Sequence, residues 1–591
     1  QGDTLTIVHI TNPTKYLILP IQESCNEGKV KLVTGSPADM AMDVRLAVDS
    51  VEYYVPFALP QGAKEATLTI GRVAADAICW DSIQLADTFN TANTDYYRPV
   101  YHHTPLYGWM NDANGLVYKD GEYHLYFQYN PYGSKWGNMH WGHSVSKDLI
   151  HWDHLDPAIA RDTLGHIFSG STVIDKNNSA GYGKDAMIAF YTSASDEHGQ
   201  IQCMAYSTDN GRTYTKYEKN PILTPFDGLK DFRDPKVFWY EPAQKWYMIV
   251  SADKNMRFYS STDLKNWEYL SQFGEGYGVQ PNQFECPDFI QLPVDGDKNK
   301  MKWVMIVNIN PGCPFGGSAT EYFVGDFDGK EFHCDTDKSV TKWLDFGKDH
   351  YATVCFSNLG ERVVAVPWMS NWQYANVTPI RQYRGANALP RELSLYTKDG
   401  EIYMAANAVK ETEGLRKGTA DVNDFVMTDE HLVSPLATGQ EGACELEMDI
   451  TPNKAQTVGF QLMNDKGEKT DIYLDLKAGR LVMDRTQSGL VAFGEKSEPH
   501  AKETDDHRKT ESVNYVNDFA LGTWAPLSLC EGKTYHLNVF VDKCSVEIFV
   551  DGGRIAMTNL VFPTVPYNAL RFYTQGGEAE VKNLKVHQLG L

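Results

Sequence analysis

Apolar and polar residues alternate with a period of two through most of this chain. Leu5-Thr6-Ile7-Val8-His9-Ile10, Lys29-Val30-Lys31-Leu32-Val33 and Ala66-Thr67-Leu68-Thr69-Ile70 are three early examples. That period belongs to strands with one buried face, so residues 1–95 predict a small N-terminal β-sandwich-like domain. No long stretch carries the 3.6-residue period of an amphipathic helix, and the expected class is all-β.

From residue 96 a second regularity overlies the alternation: a polar turn closed by an aromatic residue. It reads Ser146-Lys147-Asp148-Leu149-Ile150-His151-Trp152, then Ser207-Thr208-Asp209-Asn210-Gly211-Arg212-Thr213-Tyr214, then Ser261-Thr262-Asp263-Leu264-Lys265-Asn266-Trp267. A degenerate copy spans Asp326 to Phe332. Successive turns at Asp148, Asp209, Asp263 and Asp326 lie 61, 54 and 63 residues apart. Such a period holds four short strands with their loops, which is one propeller blade. The stretch 350–410 leaves room for another, so residues 96–412 predict a five-bladed β-propeller. A charged passage, Lys410 to Asp424, leads into a further strand-rich region, 425–591, read as a C-terminal β-sandwich. It includes the hairpin-like Ser545 to Gly553 and an almost wholly polar insert, Glu495 to Asn514, expected to be a loop.

Composition narrows the partners. A net charge of −23 without a basic patch speaks against nucleic acid and anionic membranes. The longest apolar runs, such as Trp303 to Val307, are far too short to span a bilayer. Ten cysteines without a C-x-x-C pair indicate neither a zinc cluster nor a redox motif, and His102, His103, His140, His143, His151 and His154 form no ligand spacing. Thirteen tryptophans and 33 tyrosines suit sugar stacking as well as core packing.

The candidate chemistry is acidic. In a propeller the first strand of each blade lines the central axis, so acids far apart in sequence meet there if they share a phase. Asp112 lies 36 residues before the turn at Asp148, Asp234 lies 29 before Asp263, and Glu285 lies 41 before Asp326. One aspartate at a strand end usually caps a turn; three in a common phase predict an axial site. Glycoside cleavage needs one ionised carboxylate and one carboxylic acid. Asp234, next to Arg233, is expected to stay ionised, and Glu285, near an aromatic and other negative charge, to hold the proton.

The flanking motifs resemble those of glycoside hydrolase family 32, the invertase, inulinase and levanase family, over residues 98–591. They are Trp109-Met110-Asn111-Asp112-Ala113-Asn114-Gly115, Phe127 to Pro131, Trp136 to His143, Phe168-Ser169-Gly170-Ser171, Arg233-Asp234-Pro235, Glu285-Cys286-Pro287-Asp288, Asp345 to Asp349 and Trp368 to Trp372. The resemblance implies Asp112 as nucleophile, Glu285 as acid/base and Asp234 as the residue that holds fructose hydroxyls. It implies substrate contacts at Asn111, Gln128, Trp136, Trp141, Phe168, Ser169, Arg233, Asp349 and Trp368. It further implies double displacement on a terminal β-fructosyl unit of levan, inulin or sucrose, with no metal or organic cofactor. Ala113 departs from the family's usual proline, a change expected to loosen the turn at most.

Rival readings are weighed on residues. The Ser207 to Tyr214 turn is also found in sialidases, whose arginine cluster and tyrosine nucleophile have no counterpart among these acid-rich motifs. A non-catalytic fructan-binding protein would be expected to have lost one of the three acids. Endo-acting enzymes and fructosyltransferases share the motifs; exo action is the expectation, because they describe a subsite for one terminal fructose. A substrate of that kind implies a secreted or periplasmic protein, with a signal removed before Gln1. The oligomeric state stays open.

Overall fold

The computed structural model describes residues 4–36, 39–92, 95–493, 500–503, 510–513 and 519–591. Strands dominate, and the short helical turn Cys79–Ser82 lies in the N-terminal domain. At the N-terminus a four-stranded sheet (Leu5–Thr11, Glu65–Gly71, Gly28–Val33, Ala41–Val44) faces a three-stranded one (Tyr53–Ala58, Tyr16–Ile21, Gln84–Ala86). Leu19, Val30, Val55, Leu68 and Ile70 fill the space between them. The outer strand Leu5–Thr11 points Val8 and Ile10 inward and leaves Leu5 and Ile7 exposed.

The next region is the five-bladed propeller that the turn period predicts. Its innermost strands are Gly108–Lys119, His166–Asp175, Phe232–Tyr240, Glu285–Val294 and Tyr351–Cys355, each starting a run of four antiparallel strands; parallel pairing adds Tyr383–Arg384 to the first run and joins the last two. Each inner strand packs on the next and the fifth returns to the first. There Ser357 N–H donates to the Leu116 carbonyl at 3.0 Å, and Tyr118 N–H to the Ser357 carbonyl at 3.0 Å. Inner strands are buried on both faces, Gly108–Lys119 along almost its whole length. The two-residue alternation therefore fades where function is concentrated.

The turns work as the repeat suggests. Asp148 accepts from Ile150 N–H at 3.0 Å and His151 N–H at 2.8 Å; Asp263 does the same for Lys265 and Asn266. In the degenerate copy this acceptor is Asp328, bonded to the Lys330 and Glu331 amides, and not Asp326, which belongs to the strand Ala319–Phe327.

The C-terminal region packs a seven-stranded sheet on a six-stranded one around Leu446, Val458, Phe460, Ile548 and Phe572. The strand Arg416–Val422, within the charged passage, already pairs with Ala579–Leu589, so the sandwich begins before residue 425. Of the polar insert 495–514, only the paired segments His500–Glu503 and Thr510–Val513 are described; the rest lies outside the described residues.

Buried charges join propeller to sandwich. Arg391 donates to Asp345 at 2.6 Å and to Glu547 at 3.0 Å, and His102 bridges Asp542 and Glu547. Arg485 donates to Asp349 at 2.7 Å, and Leu560 N–H donates to the same oxygen at 2.7 Å.

Candidate active site

The five inner strands share an irregularity that aims their side chains. In each, two residues oppose one on the neighbouring strand, which is a β-bulge. Asn111 and Asp112 oppose Gln128, Phe168 and Ser169 oppose Thr192, and Asp234 and Pro235 oppose Val250. Cys286 and Pro287 oppose Val307, and Ala352 and Thr353 oppose Pro367. A bulge bends its strand and re-aims a side chain. Five at one level turn side chains from every blade toward the axis. Asp234, Cys286 and Ala352 adopt φ of 66°, 44° and 56°, left-handed values costly for side chains with a Cβ and found where surrounding structure enforces them. Pro235 and Pro287 fall inside bulges, where no ladder hydrogen bond is lost.

The bulges enclose a cavity of about 330 Å³ lined by Asp112, Asp234 and Glu285 together with Asn111, Gln128, Trp136, Phe168, Ser169 and Arg233. Asp112 is nearly buried. It accepts from Ser169 Oγ at 2.7 Å, Asn111 Nδ2 at 3.1 Å and Cys286 Sγ at 3.2 Å. Burial raises its carboxyl above the usual range; the Ser169 bond opposes this and the Glu285 charge adds to it. Asp234 accepts from Cys286 N–H at 2.9 Å, and its own N–H donates to Thr192 Oγ1 at 3.1 Å.

The electrostatics differ from expectation at Arg233 and Asp234. Arg233 does not hydrogen-bond its sequence neighbour; it donates to Glu285 Oε2 at 2.9 Å and Asp231 Oδ1 at 2.8 Å, because the bulge turns Asp234 away from it. Asp234 is therefore not held in the ordinary carboxylate range. Burial pushes it up to about 7 against the weaker pull of Arg233, with Asp112 and Glu285 adding to the rise. Glu285 does lie near an aromatic and other negative charge, with the Tyr351 hydroxyl on one oxygen and its charge felt by Asp112 and Asp234; its other oxygen takes the Arg233 contact that had been expected at Asp234.

Three expected substrate contacts do not line the cavity. Trp141 is wholly buried, with its indole N–H on the Phe168 carbonyl at 2.9 Å, so it supports the wall from behind. Trp368 is buried against Trp109 and Trp372, and it is Trp372 that reaches the cavity. Asp349 is held by Arg485 at the sandwich interface. Conversely, Gln200, Asp231, Gln283, Asn310 and Tyr351 line the cavity without having been singled out. Extending the blade phase to the fifth blade would have pointed to Tyr351. Ala113 is buried and back in register opposite Phe127, and Asp112 beside it keeps all three donors.

Comparison with known proteins agrees with this architecture. The model for the glycosyl hydrolases family 32 N-terminal domain matches residues 102–406, and that for the family 32 C-terminal domain matches 411–588. A domain of unknown function matches 2–101. The chain is 40% identical over 519 residues to a levanase of Bacillus subtilis (strain 168), covering 86% of this chain and 73% of that protein. It is 45% identical over 519 residues to an invertase of Debaryomyces hansenii, covering 84% and 94%. A crystal structure of exo-inulinase from Aspergillus awamori superposes with a TM-score of 0.75 at 32% identity, covering 85% of this chain and 99% of that one. With more than half its length matched by the propeller-domain model alone, this chain belongs to glycosyl hydrolase family 32.

Proposed function

We propose that this protein is a retaining exo-β-fructosidase that releases terminal fructose from levan or inulin, and from sucrose. The observation that carries the reading is the convergence of Asp112, Asp234 and Glu285 on one cavity lined from all five blades. At about 330 Å³ it lies at the small end of the range of ligand pockets, roughly 300–1,000 Å³, which suits one terminal sugar ring better than a chain passing through.

In this reading Asp112 attacks the anomeric carbon while Glu285 protonates the departing oxygen; Glu285 then takes a proton from the water that frees fructose. Ser169, Asn111 and Cys286 orient the Asp112 carboxylate by their hydrogen bonds. Arg233 and Tyr351 fix both oxygens of Glu285, so the proton is presented from one direction. Asp234, protonated or ionised near neutrality, serves as a hydrogen-bond partner for sugar hydroxyls. The chemistry falls to the middle unit, 96–412, between the N-terminal domain and the C-terminal sandwich. Several relatives are described as extracellular, which supports a secreted or periplasmic location.

Time-resolved product analysis on levan, inulin and sucrose tests this. Free fructose as the sole early product from a polymer is expected. A ladder of oligosaccharides would contradict exo action, and no turnover of any of the three would contradict the reading as a whole.

A further inference from the structure

The N-terminal sandwich reaches the active site through the loop of residues 131–139, between the strands Glu122–Asn130 and His140–Ser146 of the first blade. At its centre Trp136 stands at the cavity mouth, 37% exposed, with its ring stacked on His166 at 5.5 Å and 6.2 Å from Phe168. Its backbone N–H donates to Asn376 Oδ1 at 3.0 Å.

Two residues to either side, the loop is tied to the N-terminal domain. Ser134 is wholly buried. Its N–H donates to the Tyr53 hydroxyl at 2.9 Å, and its own hydroxyl lies 2.7 Å from Glu23 Oε1. Arg384 completes this cluster, 2.7 Å from Glu23 and 3.2 Å from the Ser134 carbonyl. Asn138, also wholly buried and held at φ 41°, makes a two-way bond with the Asp43 backbone. Its Oδ1 accepts from Asp43 N–H at 2.8 Å and its Nδ2 donates to the Asp43 carbonyl at 2.7 Å. Arg161 bridges the Asn138 and Asp43 side chains. A third tie is apolar: the Tyr132 ring packs on Phe57, 5.4 Å between centroids, against the sandwich core.

We propose that the N-terminal domain is a positioning brace for Trp136, holding the loop so that the indole forms a fixed wall of the sugar pocket. The proposal rests on reading the cavity as the fructosyl site. Its physical basis is preorganisation: fixing a loop's backbone costs conformational entropy, and a loop already ordered by the sandwich does not incur that cost when sugar binds. Buried polar ties also resist sliding, because a displaced donor or acceptor would be left unpaired. Glu23, Tyr53 and Asp43 touch no part of the cavity lining except through this loop, so they act on the sugar through Trp136.

The test uses the full-length protein with Tyr53→Phe and Glu23→Gln, which keep side-chain shape, alongside Trp136→Ala and the paired doubles. Each brace variant is expected to raise KM roughly five- to twenty-fold with kcat within about two-fold of wild type, the pattern of lost binding without lost chemistry. On the Trp136→Ala background the same variants should add almost nothing, since the residue they position is gone. Without substrate, amide exchange in peptides covering 131–139 should speed up in both variants. Unchanged exchange would overturn the brace, and so would KM effects that simply multiply in the doubles. If the wild type turned over no fructoside, the functional reading would fall, while the exchange measurement would still decide the brace.

Discussion

Two regions of this molecule bury carboxylates and arginines, and they treat them in opposite ways. At the interface between propeller and sandwich, charges are matched. Burial alone would raise Asp345, Asp542 and Glu547, yet His350 and Arg391 for the first, and His102 with its neighbours for the other two, outweigh burial and hold all three below the usual range. At the axial cavity the balance reverses: burial dominates, and Asp112 and Asp234 are raised. The interface sets buried cations against its carboxylates, whereas in the cavity Asp112 and Asp234 are hydrogen-bonded mainly by neutral donors, which do not outweigh burial. The same side chains thus give cohesion in one place and reactivity in the other.

Substitutions at the two regions should therefore separate activity from stability. The largest effect is expected for Asp112→Asn, which should reduce turnover at least about 10³-fold without lowering the Tm; steady-state rates and calorimetry check both halves. Next is Arg391→Met, which removes the arginine from buried Asp345 and leaves Glu547 with His102 alone. Breaking a buried pair from one side costs roughly 3–5 kcal/mol, so the Tm should fall steeply while the activity of the remaining folded protein is retained.

Asp234→Asn should do the reverse. A carboxyl raised to about 7 carries an ionisation penalty that is absent below its ordinary value near 4, grows between the two and is complete above 7. The amide avoids that penalty, so the variant should lose activity yet melt several degrees higher at pH 8, at roughly 2–4 °C per kcal/mol, with no gain at pH 4. The smallest effect concerns His102. Burial opposes its charge, but Glu547 and Asp542 raise it to about 9. The stability this gives is complete below its ordinary value of 6.5 and lost as pH rises through 9. Melting curves across that window should decline in wild type and decline less in His102→Gln.

The sequence revealed the scaffold through surface features and missed what buried register decides. Blade number was legible because Asp148, Asp209 and Asp263 sit in exposed turns whose backbone amides need an acceptor. The common level of Asp112, Asp234 and Glu285 followed from the same period. Their positions within the bulges did not: Glu285 precedes its bulge, Asp234 is first within one and Asp112 second. Register is a property of strand pairs, and no single segment records it. For the same reason Arg233 was matched to its chain neighbour when it reaches across to the next blade. Trp141, Trp368 and Asp349 stand in the right motifs, but a motif does not tell which side of a doubly buried strand a residue faces. The Leu5–Thr11 strand shows the same limit: Val8 and Ile10 face the core while the equally apolar Leu5 and Ile7 are turned outward.

Everything in the proposed chemistry turns on Asp112 as the nucleophile of a retaining reaction. The most direct measurement is mass spectrometry of rapidly quenched Glu285→Gln protein after mixing with an activated β-fructoside, whose leaving group needs no acid, so that the intermediate accumulates. One fructosyl unit is expected within the peptide Gly108–Lys119, at Asp112, and none in the Asp112→Asn double variant. An adduct on another residue, or turnover that never passes through an adduct and releases sugar with inverted configuration, would contradict it.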